Sequence, residues 1–122
     1  MATKYKDPLI IRGSQAKIER LGRFYTFRDP AEVLRFLDTY PFLVPILLEA
    51  CDKIAGYFPA TALYLEVAVD PEAVGSSQLV IYIATSLAPN EALSRLDQLD
   101  EGWWLDVLDR TQGRLCIHVE LR

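Results

Sequence analysis

Apolar residues recur at helical spacing most regularly between Asp29 and Pro59. Asp29-Pro30 reads as a helix start, because Asp can cap free N–H groups and Pro at the first helical position forgoes no bond. Glu32 falls where a capping-box partner reaches back. Val33, Leu34 and Leu37 then share a face. Tyr40-Pro41 breaks this helix, since the residue before Pro is pushed out of the α region. A longer helix is predicted to begin between Phe42 and Val44, which keeps Pro45 in the first turn. Leu43, Ile46, Leu47, Ala50, Cys51, Ile54 and Phe58 form its core stripe, so it must lie under a sheet or a partner.

After Pro59 the period changes to that of a strand. From Thr61 to Val69, Leu63, Leu65, Val67 and Val69 share one face, and Tyr64, Glu66 and Ala68 the other. Asp70-Pro71 ends this run and Gly75-Ser76-Ser77 supplies a turn. Gln78 to Thr85 alternates in the same way, with Tyr82 on the Tyr64 side, so the two runs are predicted to form an antiparallel hairpin. Pro89 opens a helix to about Leu99, with Ala92, Leu93 and Leu96 inward. Gly102 interrupts it, and Trp103 to Leu108 makes a short continuation, with one tryptophan expected in the core and one partly exposed. Gly113 is the stop before a last strand, Arg114 to Leu121, which turns Cys116, His118 and Glu120 outward. Residues 1–28 are poorly periodic and are predicted to form an arm with short strands in KIER and RFYTF, a loose hairpin about Gly22.

The expected architecture is an α+β two-layer sandwich of order α-α-β-β-α-β. Its three-stranded antiparallel sheet has order 2-1-3, with the Thr61–Val69 strand central and the helices on one face. The division is a basic N-terminal arm, residues 1–28, and a single domain, residues 29–122.

Composition narrows the setting. The chain has 122 residues, 51% of them hydrophobic and 25% charged, which suits one folded domain and argues against disorder. No apolar run is long enough to span a bilayer, and the start, MATKYKDPLIIRG, has charges where a secretion signal needs an apolar stretch. A cytoplasmic location is therefore expected, with Cys51 and Cys116 as buried, reduced thiols. Charge is unevenly spread. Residues 1–28 hold seven Lys and Arg against two acidic residues, a net +5, and the remaining 94 residues hold six against fifteen, a net −9. Such a split suggests an acidic partner, nucleic acid or a clasp within the molecule.

Three constellations carry candidate chemistry. On the outward sheet face, Tyr64, Glu66, Tyr82, Cys116, His118 and Glu120 project to one side, suited to docking a partner or, through His118 and Glu66, to binding a ligand. Around Trp103 and Trp104, the acids Asp100 and Glu101 frame an indole that would attract a basic protein. In the arm, Arg20, Arg23, Phe24, Tyr25 and Arg28 interleave basic and aromatic groups in the manner of a phosphate-contacting surface. Nucleic acid is the weaker reading of that last set, because a chain with a pI near 4.9 repels a polyanion. There is no glycine-flanked nucleophile, no Gly-rich phosphate loop and no metal-ligand spacing, so no catalytic residue, cofactor or metal is assigned.

The runs FLDTYPFLVPILLEA, LEVAVDPE, LDQLDEGWWLD and GRLCIHVELR resemble those of a group of small uncharacterised bacterial proteins, over roughly residues 32–122. The resemblance implies no activity. It suggests an occurrence in pairs with a second protein, and so a partner-binding role. The leading expectation is a non-enzymatic, homodimeric interaction module, accessory or antitoxin-like, whose arm clasps a neighbouring subunit. The alternatives are a small ligand-binding protein or enzyme on the open sheet face and a nucleic-acid binder using the arm.

Overall fold

A computed structural model describes residues 8–69 and 77–122, with side chains described from Ala16 onward. The elements are α1 (Pro8–Phe24), β1 (Thr26–Phe27), α2 (Pro30–Thr39), α3 (Leu43–Tyr57), β2 (Ala62–Ala68), β3 (Gln78–Thr85), α4 (Pro89–Leu99) and β4 (Leu115–Leu121). A π-helical turn, Asp100–Trp104, and short α and 3-10 turns join α4 to β4. The turn expected at Asp70-Pro71 and Gly75-Ser76 lies outside the described residues.

The sheet departs from expectation in size, order and direction. It has four strands in the order β1-β2-β3-β4, where three antiparallel strands in the order 2-1-3 were expected. β2 and β3 pair antiparallel as predicted, from Ala62 with Ala84 to Ala68 with Gln78. β4, however, lies beside β3 and parallel to it, so β3 is interior as well as β2. Two facts account for this. A connection through a helix returns the chain to the end where the previous strand began, which gives a parallel neighbour. β3 is also the most uniformly apolar strand, QLVIYIAT, and a strand buried on both faces belongs in the middle.

The fourth strand comes from the segment expected to be an arm. KIER is helical, inside α1, and only Thr26-Phe27 of RFYTF is extended, pairing parallel with β2 at Tyr64 and Leu65. Ile18, Leu21 and Tyr25 fall at helical spacing, and Leu21 and Tyr25 are buried in the core. The Tyr25 hydroxyl donates to the Leu47 carbonyl at 2.7 Å, tying this segment to α3.

α2, α3 and α4 begin where the sequence places them, although Asp29 does not cap as expected. It sits at φ 54° with no side-chain cap bond, and its carbonyl instead accepts the N–H groups of Glu32 and Val33. One core joins the helices to the odd-numbered side of the sheet, with Leu63, Leu65, Leu79, Ile81, Ile83 and Leu115 among its members. Each fully buried Leu or Ile there contributes about 1.5–3 kcal/mol by leaving water.

The tryptophans do not divide. Trp103 and Trp104 are 6% and 9% exposed, with ring centroids 5.8 Å apart. The wide π-helical turn brings consecutive side chains closer to one face, so both indoles reach the core. Gly102 makes the close approach possible, because a Cβ there would stand 2.6 Å from the Tyr57 hydroxyl of α3.

Candidate functional site

Strand alternation builds the even-numbered sheet face in rows. Tyr64, Tyr82 and His118 are level across β2, β3 and β4, with Glu66, Val80 and Cys116 in the row on one side and Ala62, Ala84 and Glu120 on the other. None of these residues belongs to the helix-side core. The sequence-predicted set Tyr64, Glu66, Tyr82, Cys116, His118 and Glu120 is thus brought together on one surface. His118 is exposed, while the other five are half-buried.

The residue at the centre of this surface, Arg28, was expected to serve in the basic and aromatic set of the arm. Because Thr26 is level with Tyr64, strand periodicity puts Arg28 on the same face as Tyr64 and Glu66, and its N–H donates to the Leu65 carbonyl at 2.8 Å. Its guanidinium donates to Glu120 Oε1 at 2.8 Å and to Glu66 Oε1 at 3.3 Å. It also lies 4.3 Å from the Tyr64 ring centroid and 5.1 Å from that of Tyr82, a cation held over two π faces. Arg122 comes from beyond β4 to donate to Glu120 Oε1 at 3.1 Å and to stand 5.1 Å from the Tyr64 centroid. The small side chains of Ala62 and Ala84 leave room for these long cations to cross the sheet. The Tyr82 ring stacks on His118 at 6.1 Å and 28°.

The charges are locked. Hydrogen bonds from Arg28 and then Arg122 hold the Glu120 carboxyl down at about 2, and the same bond to Glu120 holds the Arg28 guanidinium above its usual value. Burial, then the Glu66 charge, pushes the Tyr82 phenol up, and burial pushes the Cys116 thiol up. At neutral pH the Glu120 carboxylate is ionised and paired, and the phenol and thiol keep their protons. None of these shifts brings a group's pKa toward neutral pH. Among the described residues no group of three or more His, Cys, Asp or Glu could hold a metal ion.

The other two sets are only partly assembled. The Trp103 indole N–H donates inward to Glu49 Oε1 at 2.6 Å, and Glu49 pairs with Arg110 at 3.5 Å, so the tryptophans brace α3 instead of facing a partner. Asp100 is half-buried, its carboxyl raised by burial and then by Asp97 and Glu101, and Glu101 is exposed. On α1, Arg20, Arg23 and Phe24 are exposed, while Tyr25 points into the core. The two cysteines are free and half-buried, where buried thiols had been expected, and Cys51 Sγ donates to the Leu48 carbonyl at 3.1 Å.

A cleft of about 270 Å³ opens at the end of β2 and β3, lined by Thr61, Thr85, Ser86 and Arg95. Its polar groups are engaged internally. Arg95 binds Glu91 at 2.8 Å and the Tyr57 carbonyl at 3.0 Å, and the Thr85 hydroxyl accepts the Leu87 N–H at 3.2 Å. No family model, curated protein or solved structure matches the chain.

Proposed function

We propose that the protein is a non-enzymatic interaction module that docks a protein partner through the even-numbered sheet face. The observation that carries this reading is the Arg28 cluster, with Tyr64, Tyr82, Glu66 and Glu120 fixed around one guanidinium on a face outside the core. Tyr and Arg are enriched at protein interfaces, and side chains already held in place lose little freedom on docking. The cluster balances two cations, Arg28 and Arg122, against two carboxylates, Glu66 and Glu120. That balance favours a protein surface read through rings and hydrogen bonds over a polyanion. An accessory or antitoxin-like role in the cytoplasm, acting by occupying a second protein, suits such a module.

Co-purification of the native protein tests this. The wild type should retain a stoichiometric protein, and Tyr82→Ala should lose it with its far-UV circular dichroism unchanged. A bound small molecule, lost in His118→Ala without loss of stability, would instead favour the ligand-binding alternative.

A further inference from the structure

The outer edge of β4 has a backbone to offer. The Leu79 N–H donates to the Arg114 carbonyl at 2.8 Å, and the Arg122 N–H donates to the Thr85 carbonyl at 2.9 Å. With the parallel register running from Leu79 beside Leu115 to Thr85 beside Leu121, the even-numbered residues of β4 turn their N–H and C=O toward β3. Leu115, Ile117, Val119 and Leu121 therefore turn theirs away from the sheet, and among the described residues no strand lies on that side. Natural sheets guard such edges with Pro, Lys, bulges or very short strands. β1, the opposite edge, is two residues long. β4 is seven residues long, holds neither Pro nor Lys, and keeps an unbroken register.

We propose that this edge pairs antiparallel with the same edge of a second copy, about a two-fold axis at Val119. The sequence of β4 is complementary to itself in that register. Ile117 faces Leu121 of the other copy on the helix side, covering a leucine that is 50% exposed in the monomer. His118 faces Glu120 on the other side. Arg28 and Arg122 both engage Oε1 of Glu120, so Oε2 is the oxygen that meets the incoming imidazole. Centring the axis on His118 would set Arg114 against Arg122, and centring it on Ile117 would set Leu121 against Gly113 and leave it uncovered. The pairing makes one eight-stranded sheet with both helix layers on one side and both Arg28 clusters on the other. It goes beyond the partner-docking reading and does not depend on it, because Leu121 lies on the helix-side parity and outside the Arg28 cluster.

Sedimentation equilibrium over a concentration series decides the matter. The wild type should run at twice the 13.8 kDa chain mass. Val119→Pro removes an outward N–H without touching the β3 ladder, and Leu121→Lys adds a guarding charge, so both should be monomeric with native circular dichroism. The register has its own test, because each His118 change acts twice in a symmetric dimer. His118→Glu should raise the dimer dissociation constant roughly tenfold, and His118→Lys should not raise it. A monomeric wild type, or a dimer that Leu121→Lys leaves intact, would overturn the proposal. Equal behaviour of the two His118 variants would overturn the register.

Discussion

Tyr25 is the residue on which the attachment of the N-terminal segment turns. It is 3% exposed, and its hydroxyl donates to the Leu47 carbonyl at 2.7 Å. Removing the hydroxyl alone, in Tyr25→Phe, takes away one net hydrogen bond, about 0.5–1.5 kcal/mol. The Leu47 carbonyl keeps its place in the α3 ladder, so no acceptor is orphaned. Removing the ring, in Tyr25→Ala, adds lost burial and a cavity, about 3–5 kcal/mol for a core aromatic. With a urea slope of roughly 1.5 kcal/mol/M, the midpoint should fall by roughly 2–3 M for Ala and by under about 1 M for Phe. Trp103 and Trp104, buried in the same core, supply the fluorescence signal.

The phenol also predicts an alkaline effect. Burial, then Cys51, raises its pKa well above 10.0. The folded chain thus keeps a proton that the unfolded chain releases, so this phenol's contribution to stability is intact below pH 10 and declines above it. Tyr25→Phe should shallow that decline, leaving the shares of Tyr82, Cys51 and Cys116, each likewise raised by burial. A Tyr25→Ala variant costing less than about 1 kcal/mol would refute the claim that this segment is integral to the core.

Two further outcomes follow from the geometry. Glu120, held at about 2 against a usual 4.5, contributes stability that is present above the usual value and lost as pH falls through the lowered one. Carboxyl titration by NMR should show Arg28→Gln moving this midpoint upward more than Arg122→Gln does, and an unmoved midpoint would contradict the cluster. Gly102→Ala places a Cβ against the Tyr57 hydroxyl, the outer end of a side chain that must shift, and should cost about 1 kcal/mol. In a Tyr57→Phe background that cost should shrink, and strict additivity of the two changes in urea unfolding would show that the contact is not the cause.

The elements from Asp29 onward were legible because each has a clear period: four apolar rows along α3, and strict alternation in β2 and β4. The outward face was legible for the same reason, since alternation alone assigns Tyr64, Tyr82 and His118 to one side. Neighbour order was not legible, because no local signal says which strand a returning chain lies beside. The uniform apolarity of β3 was the available clue. In α1, Gly22 reads as the turn of a loose hairpin, yet it is an exposed helical position with nothing within 4 Å of an added Cβ. A helical Gly costs only about 1 kcal/mol, less than the burial of Leu21 and Tyr25 returns.

The charge asymmetry has a structural reading that the totals conceal. From Leu21 to Arg28 the chain rounds the edge of the sheet. Leu21 and Tyr25 sit in the helix-side core, Thr26-Phe27 lines the edge beside β2, and Arg28 lies over the opposite face between Glu66 and Glu120. The parallel direction of β1 makes this possible. With Thr26 level with Tyr64, the next residue of the same parity must rise on the tyrosine side. A shift of one residue would turn Arg28 into the core, where an unpaired guanidinium is prohibitively costly, so the ion pairs and the two-residue strand fix one another's register. The clasp that the sequence suggested between a basic segment and an acidic body is therefore built, in this one arginine, within the chain itself. Glu120 in turn is held ionised by two cations, Arg28 from beyond β1 and Arg122 from beyond β4.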